Sequence, residues 1–177
     1  MNPLRDYDIA FVGLKEAVHY FDFKIDSSFF ALFPDSPLHE CDIQVKLRFD
    51  KKNSFFLLYF QISGTVKVPC SRCNTPLDYP VDADYNIVVK LGDAAAENKE
   101  EDEDVIYLSR SETHLNVAQL LYEFIVLAVP VNRVVCSNIP GKECDPEVLR
   151  ILSELTENKD NNETDPRWAD LKNIKFK

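Results

Sequence analysis

Five cysteines are the residues of this sequence best equipped for chemistry, and four of them fall into two pairs. Cys70-Ser71-Arg72-Cys73 has the C-x2-C spacing and sits where a strand-like run ends after Val66, Val68 and Pro69. Two intervening residues let both thiolates point at one metal ion from a tight turn. Asn74 comes next, and asparagine tolerates the left-handed backbone that such a turn often needs. Cys136 and Cys144 form a looser pair, separated by seven residues with Pro140-Gly141 as a turn between them. Four thiolates suit a closed tetrahedral zinc site. A C-x2-C alone is common, and two cysteines that merely share a turn are its plain alternative; the C-x7-C gap, too long for a tight knuckle, weakens the zinc reading. A thioredoxin-type redox pair is a further alternative, but that motif opens a helix, and here a strand follows. Cys41 stands alone beside a strand and reads as a small buried hydrophobe.

No other constellation of this kind is visible. His19, His39 and His114 lie in separate segments without a paired acid or nucleophile at a recognisable spacing. There is no Gly-rich phosphate loop, no nucleophile elbow and no paired-His metalloprotease motif. The sequence therefore reads as that of a non-enzymatic protein with no small-molecule substrate.

The elements that must position the cysteines are mostly strands. Asp8 to Leu14 and His19 to Ile25 are short strand-like runs. Ser27-Ser28 before Phe29-Phe30 suggests one capped helical turn, stopped by Pro34 and Pro37. From Cys41 to Phe49 the pattern alternates, with Ile43, Val45, Leu47 and Phe49 on one face. Asp50 to Asn53 is a turn signal, and Phe55 to Val68 is a long strand in which Gly64 suggests a bulge or bend. Another strand runs from Leu77 to Leu91. Short connections make an antiparallel meander the simplest arrangement. The period then changes. Asn116 to Gln119 reads as a capping box, and Leu120, Leu121, Phe124, Ile125, Leu127 and Ala128 follow at helical spacing up to Pro130. Apolar around most of its girth, this helix should be buried against the sheet. Pro146 opens a second, shorter helix through Leu155. The fold class expected is α+β: a mainly antiparallel sheet, a meander or partial barrel, packed by one buried helix. Residues 1–156 form a single domain on this reading, and 157–177 a polar linker and tail.

At 177 residues with 12 Phe and 7 Tyr, the chain has ample core material and needs no disulfide framework. No run approaches the roughly 18 apolar residues of a membrane span, and the first ten residues carry Arg5, Asp6 and Asp8 and no apolar signal core. A cytoplasmic location is expected. The net charge of −10 is concentrated in two places. Asp93 to Asp104 holds seven acids against Lys99, and Glu157 to Asp165 holds four against Lys159. Those segments carry −6 and −3, so the remainder is nearly neutral at −1. Both runs read as solvated loops. No domain-wide basic excess marks an RNA-binding protein.

The string from Gly64 through Val68-Pro69-Cys70-Ser71-Arg72-Cys73, followed by a Pro-Leu strand, resembles the signature of the bacterial YceD family. That family is also called domain of unknown function 177 and large ribosomal RNA subunit accumulation protein. A second block is similar too: the apolar helix Leu120 to Val129, Pro130, then a polar segment reaching Cys144, with Cys136 at the intermediate position. Asp165-Pro166-Arg167-Trp168 to Leu171 resembles the tail of some members. The likeness spans roughly residues 5 to 177, and the Asp93 to Asp104 run departs from it as a variable insertion. The resemblance implies a cytoplasmic factor for accumulation or processing of 23S ribosomal RNA, without catalytic activity. Its partners would be the pre-ribosomal particle, 23S rRNA or a ribosomal protein.

Two groups of residues can be named for RNA contact. One is a basic face of Lys46, Arg48, Lys51 and Lys52 with Arg72. The other is the tail, where Trp168 can stack on a base and Lys172, Lys175 and Lys177 can lie near phosphates. A protein-interaction adaptor is the alternative, binding a basic ribosomal protein through Asp93 to Asp104.

Overall fold

The computed structural model describes residues 3–92, 105–130 and 134–157. The acidic run Asp93 to Asp104, and the tail with Trp168, Lys172, Lys175 and Lys177, lie outside the described residues.

A five-stranded sheet dominates. Its strands are β2 (Val18–Asp26), β3 (Cys41–Lys51), β4 (Phe55–Pro69), β5 (Pro76–Leu91) and β6 (Val105–Leu108), in the order β2-β3-β4-β5-β6. The first four form the expected antiparallel meander. The fifth was not legible: β6 pairs with β5 in parallel, Val88 opposite Val105. Parallel neighbours need a connection of a dozen or more residues, and the segment 92–104 has that length. A second, two-stranded sheet joins β1 (Asp8–Ile9) to β7 (Leu115–Asn116).

Alternation puts one face of the large sheet in the core. Ile43, Val45, Leu47 and Phe49 of β3 and Phe56, Leu58, Phe60 and Ile62 of β4 are all essentially inaccessible. Each such side chain contributes about 1.5–3 kcal/mol on burial, so the sheet and its cover supply most of the core, and the buried Cys70, Cys73 and Cys136 belong to the same cluster. Gly64 makes no bulge, since pairing runs unbroken through it on both sides. It is instead a close approach. A Cβ at this position, where φ is +151°, would lie 2.2 Å from the Asp42 carbonyl oxygen on β3.

The N-terminal segment is less extended than the alternation suggests. β1 has two residues, flanked by 3-10 turns at Pro3–Tyr7 and Phe11–Gly13. Apolar Ile9 and Phe11 still reach the core, and the Lys51 ammonium donates to the Phe11 and Leu14 carbonyls at 2.8 Å each. The single turn α1 (Ser27–Phe30) is capped by Asp26, whose Oδ1 accepts from the Ser28 amide at 2.8 Å, rather than by a serine. It buries Phe29 and Phe30.

Helix α2 (Ala118–Ala128) covers the core face. Phe124 stacks on Tyr85 with ring centres 4.5 Å apart and meets Phe60 edge-on, while Tyr122 stacks on Phe33. Its burial is one-sided: Leu120, Leu121, Phe124 and Ile125 are covered, but Leu127 is 69% exposed. Only half of the expected capping box forms. Asn116 Oδ1 accepts from the Ala118 amide, and its Nδ2 ties back to the Leu4 carbonyl and Asp8. Gln119 pairs with Glu123 instead of reaching back. Helix α3 (Pro146–Glu157) starts where expected, with Asp145 accepting from the Glu147 amide. Ile151, Leu152 and Leu155 on α3 face solvent.

Candidate metal centre

The β4–β5 hairpin ends in the first cysteine pair. Its turn is closed by the Cys70 amide on the Thr75 carbonyl and the Asn74 amide on the Cys70 carbonyl, at 2.8 and 2.9 Å. Asn74 has φ +61°, the left-handed conformation its side chain tolerates. The chain after α2 comes back to this turn, where the Ser71 amide donates to the Val134 carbonyl at 2.7 Å. A 3-10 turn at Cys136–Asn138 follows, and Gly141, at φ +75°, redirects the chain toward Cys144 just before α3.

The fold thus brings Cys70, Cys73, Cys136 and Cys144 together. Their four Sγ atoms lie within 4.8 Å of one another. Cys70 and Cys144 are 3.9 Å apart at sulfur, and Cys73 and Cys136 are 3.5 Å apart. These distances are too long for disulfides, and all four cysteines are free. They match a tetrahedron: a Zn–S bond of about 2.3 Å implies sulfurs roughly 3.8 Å apart. Cys70, Cys73 and Cys136 are buried, and Cys144 is half-buried. A closed, four-sulfur, water-poor site is one that can hold a metal ion structurally and leaves no open position for catalysis.

The surroundings are shaped for thiolates. Cys73 is held down to about 5 by the Thr75 side chain, whose hydroxyl is 3.2 Å from Sγ, and by the Thr75 and Asp145 amides. At Cys70, burial pushes upward, but amides of Cys73, Arg72 and Cys136 outweigh it and the thiol falls below its ordinary value. Burial pushes Cys136 up to about 12, and burial also raises Cys144. Four neighbouring sulfurs cannot all carry charge unaided, whereas a divalent cation among them makes every one a thiolate. Thr75 and Asp145, which face Cys73, were not singled out in the sequence. A hydroxyl two residues past the second cysteine is the only signal that could have pointed to Thr75.

Cys41 lies apart from this cluster. It is half-buried, its Sγ 3.6 Å from the Ile25 carbonyl, and burial followed by the charges of Asp26 and Asp42 raises it to about 11.

The basic residues do not form the single face that their order in the chain suggests. Lys46 and Arg48 point outward from β3, while Lys51, an odd number of positions on, turns to the core side and is tethered to two carbonyls. Lys52 pairs with Asp50 at 3.0 Å, and Arg48 approaches the same carboxylate at 3.9 Å. Arg72 lies beyond the opposite end of β4, in the cysteine turn.

Fold and site together define a class of protein: a twisted sheet with one covering helix, clasped at a hairpin tip by four cysteines from two distant segments. A family model described as "Large ribosomal RNA subunit accumulation protein YceD" matches residues 58–175, and the chain belongs to that family. It is also similar to the "Uncharacterized protein YlbN" of Bacillus subtilis (strain 168), 25% identical over 132 residues, covering 75% of this chain and 73% of that protein. No solved structure matches. Among the described residues, no helix is long and apolar enough to cross a membrane.

Proposed function

We propose that this chain is a non-enzymatic accessory factor for large-subunit ribosome biogenesis, supporting accumulation or processing of 23S ribosomal RNA. The observation that carries this reading is the match of residues 58–175 to a family named for accumulation of that RNA. The cysteine cluster supports the non-enzymatic part. Four sulfurs in mutual reach, ringed by amide donors, favour a structural zinc ion over a two-cysteine redox pair. The zinc would fasten the hairpin tip at Cys70 and Cys73 to the segment bearing Cys136 and Cys144.

Deleting the gene tests the reading. The 23S:16S ratio should fall in the deletion strain, and a Cys70→Ser/Cys73→Ser protein should fail to restore it. An unchanged ratio after deletion would remove the ribosomal role.

A further inference from the structure

The outer face of the sheet, away from the core, is divided in two. Toward the cysteine end it carries Asp26, Asp42, Asp78 and Asp82, and its two lysines are paired, Lys24 with Asp42 and Lys67 with Glu40. Toward the β3–β4 hairpin it changes character. Tyr20, Arg48, Tyr59 and Asn86 stand in register on β2, β3, β4 and β5, forming one row straight across the sheet. The next row toward the cysteine end holds Asp22, Lys46, Gln61 and Asp84; on the other side comes a row of Val18, Asp50, Leu57 and Val88, and beyond it Lys90 stands between Phe55 and Tyr107. Tyr20 is 74% exposed. The Arg48 guanidinium lies 4.9 Å from the centre of the Tyr59 ring, and the Lys90 ammonium 5.8 Å from that of Tyr107. The Tyr20–Asn86 row lines a groove of about 560 Å³.

The patch is not acidic. Lys46, Arg48, Lys52 and Lys90 face Asp22, Asp50 and Asp84, a local balance of +1, unlike the acidic half of the same face. Asp50 is already engaged by Arg48 and Lys52. An exposed Tyr20 ring and a half-buried Tyr59 ring, with cations and amide side chains beside them, offer the chemistry that holds splayed bases.

We infer that this face binds single-stranded RNA, an inference that rests on the ribosomal reading above. Bases stack on Tyr20 and Tyr59, Arg48 and Lys46 meet phosphates, and Gln61 and Asn86 offer hydrogen bonds to base edges. A protein partner would call for a centre depleted of charge, whereas here Lys46, Arg48 and Asp84 stand among the rings that line the groove. A duplex hides its base faces, so a stacking platform gains nothing from it.

The test uses the purified full chain and a fluorescently labelled ten-nucleotide single-stranded RNA, followed by anisotropy. Saturable binding is expected with a shallow salt dependence, a slope of about −1.4 for two phosphate contacts on a single strand. Tyr20→Ala, at an exposed position that the fold does not need, should weaken binding roughly tenfold through lost stacking. Arg48→Gln should weaken it and flatten the slope. Lys67→Ala, on the acidic half of the same face, should change nothing. Absence of binding by the folded wild-type protein overturns the inference, whatever the deletion phenotype. So does equal affinity of wild type and Tyr20→Ala, or equal affinity for a duplex. Loss of self-association in Tyr20→Ala, without RNA binding by wild type, would assign the face to a second copy instead.

Discussion

Three positions show what is decided at the scale of single residues. Cys73 sits under the Thr75 hydroxyl at 3.2 Å, a contact that orients and steadies a thiolate in the way outer-shell groups do at metal sites. Thr75→Val should therefore keep the fold and weaken metal binding by about 10–100-fold, measured by competition with a chromogenic chelator. Unchanged affinity would show that the backbone amides alone hold the sulfur. Gly64 is a second case. Its partner strand leaves no room for a Cβ, with the Asp42 carbonyl oxygen 2.2 Å from where one would stand. Gly64→Ala should cost at least about 2 kcal/mol by denaturant unfolding, and a wild-type midpoint would contradict the crowding. The glycine was conspicuous in the sequence, but its reason was not, because a bulge and a tight approach leave the same mark on one strand. Lys51 is the third. Its period-two position puts it on the core side, yet chain order groups it with Lys46 and Arg48, and no pattern along one strand reveals that two carbonyls await it.

At the scale of elements, the alternating patterns of β3, β4 and β5 made the meander legible, because period-two burial writes itself into sequence. The helical spacing after Asn116 made α2 legible in the same way. β6 escaped because four half-buried residues show no alternation, and its parallel pairing depends on a distant partner. The four-cysteine cluster was legible as residue types and spacing, but its assembly depends on the return of the chain after α2 to the hairpin tip. Among the described residues its other anchors include the Ser71–Val134 hydrogen bond, the buried Val134 and Cys136, and the partly covered Val135, Ile139 and Val148. Helix α3 exposes Ile151, Leu152 and Leu155. Structural zinc releases on the order of 10 kcal/mol in small zinc-binding peptides, more than any single one of these contacts. Chelation or Cys144→Ser should therefore raise hydrogen exchange across residues 134–157 while amides of β3 and β4 keep their protection. Equal protection of 134–157 with and without chelator would mean that packing alone holds the segment.

At the scale of the whole molecule, two supports divide the work. The sheet, α1 and α2 form a core that stands on apolar burial, and on the proposed reading a metal ion in the cysteine cluster would bind residues 134–157 to one end of it. The family match reaches both supports, since residues 58–175 include most of β4, then β5, β6, α2 and all four cysteines, while β2, α1 and β3 precede it. The central claim is that one zinc ion joins the two supports, and native mass spectrometry of the full chain, purified without chelator, tests it most directly. The account predicts a mass corresponding to the chain plus one zinc, reduced to the bare chain by Cys73→Ser and by denaturation in acid, which protonates the thiolates. A native mass equal to the bare chain with free thiols, or one lowered by disulfide formation, would contradict it.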